Sequence, residues 1–166
     1  MKPPASFLVA LRALEDLKQA AVVEDYAIAG AMALVFWADP IPTYDLDVLV
    51  LLPEQDTPIV SLSAIYRWAS AQGHSVHGEH VVVAGVPVQF LPSHNRLADE
   101  AIETAATLDY QGVAVRVVRP EYLVALYLEP SARTAKRRER AAALMESAET
   151  DQSVLEDLIH RFNLKP

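Results

Sequence analysis

The sequence predicts an α+β fold: a small mixed sheet of about five strands, helices packed on that sheet, and a helical C-terminal part. Short runs rich in Val and Leu alternate with longer segments whose apolar residues recur at helical spacing. A glycine separates the first of these runs from a short helical segment, and residues 119–166 carry helical patterns only.

Five segments have the composition of strands. Residues 46–52 are almost wholly Val and Leu apart from Asp47, which is typical of a central strand buried on both faces. Residues 80–84 and 86–91 flank the pair Ala84-Gly85, as the arms of a tight hairpin do. The other two predicted strands are residues 26–29 and 112–118.

Helical patterns fill most of the remaining chain. They cover residues 1–20, 31–37, 58–72, 99–106, 121–128 and 133–148, and a last helix that Asp151 can cap. The chain has no internal repeat and no Gly/Ser linker. We therefore expect a single domain, residues 1–166, with an α/β core at 1–118 and C-terminal helices at 119–166.

Composition restricts the classes of function. The 166 residues carry a net charge of −8, which argues against general binding of duplex DNA, because such binding needs Lys and Arg to neutralise phosphates. No apolar run approaches the ~20 residues of a membrane span, and the first ten or so residues lack the layout of a signal peptide. The absence of cysteine excludes disulfides, thiolate zinc sites and cysteine nucleophiles. We expect a soluble cytoplasmic protein without membrane contacts.

Asp45 and Asp47 form the best candidate for chemistry. At positions i and i+2 of a strand, two side chains point the same way. Two carboxylates on one face of an apolar strand repel each other and lose hydration, so they need a compensating cation. Mg²⁺ suits them, because it takes one or two carboxylates and completes its shell with water and substrate phosphates. The alternative is a chance Asp-x-Asp string in a solvated loop, against which the apolar run after Asp47 argues.

Residues 29–34 followed by residues 43–48 resemble the signature of the nucleotidyltransferase superfamily that includes DNA polymerase beta. In that family a glycine opens a short helix and an Asp-x-Asp strand follows. Small prokaryotic members include the nucleotidyltransferases of abortive-infection toxin-antitoxin systems. The resemblance implies a nucleotidyltransferase-like fold, a nucleoside triphosphate as substrate, and a partner protein from an adjacent gene.

The resemblance also implies roles for single residues. Asp45 and Asp47 would hold Mg²⁺ and carry the catalysis. Gly30 and the amide of Ala31 would face the triphosphate, with Thr43 completing the nucleotide-binding loop. The physics is consistent with this, because a helix N-terminus offers free N–H donors and glycine lets the backbone approach closely.

Two further positions complete the expected site. The family has a third carboxylate on a later strand, and Gln89 stands in that place; its amide oxygen can ligate a metal but is a very poor base. On the helix at 133–148, the resemblance implies that Lys136 and Arg140 reach nucleotide phosphates. The alternative is that the basic stripe of this helix is a solvated face that pairs with nearby glutamates. The stripe consists of Arg133, Lys136, Arg137 and Arg140.

Three functions remain open at this point. The first is an Mg²⁺-dependent nucleotidyltransferase that acts on a small molecule, an RNA end or a protein hydroxyl. The second is a catalytically degenerate domain of the same fold that binds nucleotide or protein. The third, a sugar-nucleotide glycosyltransferase, usually needs a longer chain. His74, His77 and His80 recur every third residue, but we interpret them as histidines of a surface loop rather than as a metal site.

Overall fold

The computed structural model of the protein describes residues 5–38, 45–132 and 134–166. Its helices are α1 (Ala5–Gln19), α2 (Gly30–Trp37), α3 (Ser63–Ala71), α4 (Arg96–Glu103), α5 (Pro120–Leu128), α6 (Ala135–Met145) and α7 (Gln152–Arg161). Its strands are β1 (Asp25–Ala29), β2 (Leu46–Leu51), β3 (Ser75–His77), β4 (His80–Val83), β5 (Val86–Pro92), β6 (Ala106–Tyr110) and β7 (Val113–Val117).

The strands form one mixed sheet in the order β3-β4-β5-β2-β1-β7-β6. β2 lies near its centre, antiparallel to β1 and parallel to β5, and its residues Leu46, Val48 and Val50 are completely buried. The prediction of a central buried strand is therefore confirmed. The hairpin is confirmed too: Val83 pairs with Val86, and Ala84 and Gly85 both have positive φ, as a two-residue type I′ turn requires.

The sheet has seven strands within the described residues, so the prediction of about five is too low. The two additional strands lie at the two edges of the sheet. β3 has only three residues, all of them exposed, so it carries no apolar pattern to read. β6 was not predicted because its buried residue Ala106 continues the helical spacing of the preceding segment. The helix predicted at 99–106 lies instead at Arg96–Glu103, where Asn95 caps it by accepting a hydrogen bond from the amide of Ala98 (2.9 Å).

The helix predicted at 58–72 is also shorter than expected, since α3 begins at Ser63. Ile59 and Val60 have the right spacing for a helix, yet they are 74% and 61% exposed and lie in an irregular segment. Their apolar side chains thus do not face the core. The expected cap of the last helix is confirmed: the Asp151 carboxylate accepts hydrogen bonds from the amides of Ser153 (3.0 Å) and Val154 (3.3 Å).

The hydrophobic core is a continuous cluster that includes residues from Phe7 in α1 to Leu164 beyond α7. α1 lies across β1, β4, β5 and β7, while α5 packs against α4, α6 and α7. Two hydrogen bonds fix the end of α2: the indole of Trp37 donates to the carbonyl of Val118 (2.8 Å), and the Ser147 hydroxyl donates to the carbonyl of Trp37 (2.8 Å). The second of these ties the chain just beyond α6 to the C-terminal end of α2, and α6 also packs against α2. In the described part of the chain, no helix has the length and apolar character needed to cross a membrane.

Candidate active site

The candidate site lies where β1 ends and β2 begins. Because these two strands are antiparallel, Asp47 pairs with Ala29, the residue just before the Gly30 turn. On its other side Asp47 pairs with Gln89 of β5, and Gln89 pairs with His80 of β4. Paired residues on neighbouring strands project from the same face of a sheet. The topology therefore brings the side chains of Asp47, Gln89 and His80 into one row.

Gly30 allows the backbone of α2 to approach the Asp47 carboxylate closely. Its φ is +62°, in the left-handed region that favours glycine. A Cβ built at this position would overlap Oδ2 of Asp47 and lie 3.0 Å from both its Cβ and its Cγ. The group that approaches the glycine is thus the candidate catalytic carboxylate, whereas the approach of Gly30 to a triphosphate stays a prediction.

Asp47 occupies an electrostatically mixed environment. Burial raises the pKa of its carboxyl, and the charge of Asp45 raises it further. Arg137, Arg140 and His80 oppose this and lower the pKa. Asp47 is half-buried while Asp45 is exposed. The two carboxylates that were predicted to act together are therefore close enough to repel, and the net effect of the surroundings disfavours ionisation of Asp47.

The basic side chains come from α6, which begins after Thr134. The Thr134 hydroxyl caps this helix by accepting a hydrogen bond from the amide of Arg137 (3.2 Å). Arg140, which the sequence analysis selected, is partly buried, and its charge reaches Asp47. Arg137 reaches Asp47 as well, although the sequence offered no reason to prefer it within the stripe. Lys136 is exposed on the first turn of α6, and its role in nucleotide binding stays a prediction.

The site fits one divalent cation. Two neighbouring carboxylates, one with a raised pKa, form an arrangement that a cation stabilises, and Mg²⁺ commonly takes only one or two carboxylates from the protein. The residues that the structure describes contain no group of three or more His, Asp or Glu side chains that could hold a metal. Gln89 brings an amide to the row, and its Nε2 donates a hydrogen bond to Glu79 (3.3 Å). This donor set could hold a single ion whose shell is completed by other ligands, and it is too small for a pair of ions.

Some residues that the sequence indicated lie outside the described part of the chain, and two residues near the candidate site were not indicated by the sequence. Thr43 and Arg133 belong to the first group. His80 was interpreted as a residue of a surface loop. However, counting strand pairs back from the Ala84-Gly85 turn places His80 opposite Gln89, so the sequence contained a signal for its position. Tyr127 of α5 was missed without any signal, because the apolar segment around it has the pattern of a buried helix. Its phenol lies near Arg140, Arg137 and Asp47, which all shift its pKa, although burial is the main cause that raises it.

Comparison with known proteins bears on the fold. No protein-family model matches the chain, and no significant match occurs among the curated proteins. Among solved structures, the antibiotic-resistance factor ANT(2'')-Ia in solution is similar, with a TM-score of 0.54 and 16% identity over 96% of this chain and 93% of that one. The crystal structure of ANT(2'')-Ia in complex with adenylyl-2''-tobramycin has a TM-score of 0.53 and 15% identity, over 94% of this chain and 99% of that one.

A third solved structure leads to the same fold. An antigenic nucleotidyltransferase-like protein from Paracoccidioides brasiliensis has a TM-score of 0.56 and 16% identity, over 94% of this chain and 87% of that one. These identities are too low to transfer an activity, but each similarity extends over nearly the whole of this chain. The chain therefore has a nucleotidyltransferase-like fold, as the Gly30 turn and the Asp45-x-Asp47 strand predicted.

Proposed function

We infer that this protein binds a nucleoside triphosphate together with one Mg²⁺ and transfers the nucleoside monophosphate to a hydroxyl acceptor. The observation that carries the proposal is the contact between Gly30 and Asp47: a helix N-terminus without a side chain stands directly against a half-buried carboxylate. Such a helix end can bind phosphate through its free N–H groups. The neighbouring carboxylates can bind the metal that accompanies the phosphate.

The residues of the site would share the work of phosphoryl transfer. When bound, Mg²⁺ supplies positive charge that neutralises the phosphates and polarises the α-phosphorus. Asp45 and Asp47 would hold that ion, and the amides at the start of α2 would orient the phosphate chain. Arg140 and Arg137 would add positive charge from α6, on the side where they already influence Asp47.

The bond changes are those of an in-line displacement. The acceptor oxygen attacks the α-phosphorus, the bond from that phosphorus to the oxygen bridging to the β-phosphate breaks, and pyrophosphate leaves. The hydroxyl proton passes to solvent, because the amide of Gln89 cannot accept it as a carboxylate would. The protein therefore contributes positioning and charge more than proton transfer.

A second function is favoured by one specific observation. Gln89 pairs directly with Asp47, in the place where a third carboxylate would complete a two-metal site. A site with this change can still bind a nucleotide and one cation. The second candidate is therefore a nucleotide-binding or protein-interaction module of the same fold, in which transfer has been lost.

Measurements of nucleotide binding and of nucleotidyl transfer distinguish the enzyme from the binding module. Isothermal titration with each of the four ribonucleoside triphosphates and Mg²⁺ should show binding of at least one, and Asp45→Asn should weaken it. The matched control is Asp109→Asn, which makes the same change at an exposed position of β6. If no triphosphate binds to the wild-type protein, nucleotidyl transfer and nucleotide binding are both excluded, and of the second function only the protein-interaction module remains.

The acceptor is then sought with α-labelled triphosphates. The acceptors to include are total RNA, cell lysate, a candidate partner protein encoded by a neighbouring gene, and an aminoglycoside, the last because one similar structure contains adenylyl-2''-tobramycin. Transfer of label that Asp45→Asn abolishes establishes the enzyme and identifies the acceptor class. A partner protein that becomes labelled would support a toxin-antitoxin role. Binding without transfer to any acceptor favours the binding module.

A further inference from the structure

Tyr127 of α5 is a buried tyrosine. Its side chain is 6% exposed, and its OH has no hydrogen-bond partner among the described residues. Two other buried tyrosines differ in this respect: the Tyr26 hydroxyl donates to Glu15 (3.0 Å), and the Tyr122 hydroxyl donates to Glu100 (3.3 Å). Buried hydroxyls in native proteins almost always have a partner, so an unsatisfied one needs an explanation.

A second unsatisfied donor lies beside it. Nε of Arg140 is buried and likewise has no partner in the described part of the chain. The charge of Arg140 is close enough to lower the pKa of the Tyr127 phenol. Among the described residues, however, neither the Tyr127 hydroxyl nor Nε of Arg140 has a partner at the distance and angle of a hydrogen bond. Because α5 and α6 pack together, the two donors approach the same region from adjacent helices.

The surroundings define the chemistry of a ligand for this pair. Both atoms can donate a hydrogen bond and one of them carries positive charge, so the complementary group is an anionic oxygen. The helix α2, which begins at Gly30 of the candidate site, packs against both α5 and α6. Asp47 is also within electrostatic range of Tyr127, since its charge raises the pKa of the phenol. Arg137 adds another positive charge there, since it lowers the pKa of both Tyr127 and Asp47. Several positive groups around one region suit a chain of phosphates better than a single carboxylate.

We propose that Tyr127 is a phosphate-binding residue, whose hydroxyl and the Nε of Arg140 together donate hydrogen bonds to one anionic oxygen of the bound triphosphate. This rests on the proposed function, to which it adds a residue that the sequence did not indicate. The bound oxygen satisfies two buried donors that the ligand-free protein leaves unpaired. The Tyr127 hydroxyl consequently contributes to ligand affinity and not to the stability of the ligand-free fold.

The test compares two Tyr→Phe substitutions in the same helix. Tyr127→Phe removes a hydroxyl that has no partner among the described residues. Tyr122→Phe removes a hydroxyl that is bonded to Glu100, on a residue of nearly the same overall exposure (7% against 6%). Affinity is measured by titration with MgATP and, in EDTA, with inorganic tripolyphosphate, which tests the phosphate contacts without base or metal. Stability is measured by thermal denaturation of the ligand-free proteins.

The two variants should behave in opposite ways. Tyr127→Phe should weaken binding of both ligands roughly 10- to 100-fold, the range for a hydrogen bond to a charged group, with a ligand-free Tm equal to or above the wild-type value. Tyr122→Phe should leave both affinities unchanged and lower the Tm. Arg140→Lys, which keeps the charge but loses the Nε donor, should weaken binding of both ligands as well.

Several results would overturn the inference. One is equal tripolyphosphate affinity in the wild-type protein and Tyr127→Phe; another is a ligand-free Tm that falls in Tyr127→Phe as much as in Tyr122→Phe, since the hydroxyl would then have a structural partner. If MgATP binding is lost in Asp47→Asn but unaffected in Tyr127→Phe, the proposed function stands and this inference falls. If tripolyphosphate binds in a Tyr127-dependent manner while no nucleotide binds, the inference stands and the proposed function falls.

Discussion

Replacing Gly30 by alanine should damage the fold and the site together. Holding an alanine in the left-handed conformation of Gly30 costs about 1–2 kcal/mol. The new Cβ would also overlap the Asp47 carboxylate, and because it would lie 3.0 Å from the Cβ of Asp47 as well, a change of rotamer alone cannot relieve the contact. Such overpacking costs about 1–3 kcal/mol more, for a total of about 2–5 kcal/mol.

Gly78 provides the matched control. Its φ is +60°, nearly the value of Gly30, but a Cβ built there meets nothing within 4 Å. Gly78→Ala should therefore cost only the conformational part, about 1–2 kcal/mol. The difference between the two variants isolates the contact with Asp47.

The assay is urea denaturation of both variants in EDTA, followed by titration with MgATP. Gly30→Ala should lose more stability than Gly78→Ala, and it should lose nucleotide binding because the carboxylate is displaced. Equal losses of stability in the two variants would refute the close approach of Gly30 to Asp47. Unchanged nucleotide binding in Gly30→Ala would refute the role of this turn in holding phosphate.

Three further predictions concern charge and capping. Because burial and Asp45 raise the pKa of Asp47, the ionised form of Asp47 destabilises the fold. In thermal melts at neutral pH, ligand-free Asp47→Asn should therefore have a higher Tm than the wild-type protein. This difference in Tm should shrink as the pH falls toward ~4, where the carboxylate of the wild-type protein becomes protonated. An equal or lower Tm at neutral pH would contradict this. The pKa of Glu100 is lowered, mainly because Arg161 donates two hydrogen bonds to its carboxylate (both 3.0 Å), so the ionised carboxylate stabilises the fold and this stabilisation should disappear as the pH falls below about 4.3. Glu100→Gln should therefore flatten the pH dependence of stability below that pH. An unchanged pH profile in Glu100→Gln would exclude a contribution of the Glu100 carboxylate to stability. Asp151→Ala removes the cap of α7 and should cost about 1 kcal/mol in urea denaturation, whereas a neutral effect would show that the cap is dispensable.

Local patterns were sufficient for the centre of the sheet. The Val/Leu run after Asp47 predicted β2, and the pair Ala84-Gly85 predicted the β4–β5 hairpin, because in both cases burial or turn geometry demands particular residue types. In the segments that were predicted wrongly, neither burial nor turn geometry requires particular residue types. β3 is short and exposed, and Ile59 and Val60 are apolar residues at helical spacing that the fold leaves outside the core.

The sequence by itself determined the glycine turn, the Asp45 and Asp47 pair, and the absence of a third carboxylate at Gln89, because each of these depends on residues close together in the chain or on the type of one residue. Only the tertiary structure decided which distant groups join them. Strand register and helix packing bring four such groups within electrostatic range of Asp47, namely His80, Arg137, Arg140 and Tyr127. That the Tyr127 hydroxyl has no partner in the described part of the chain likewise depends on its neighbours in space, and no pattern along the chain encodes it.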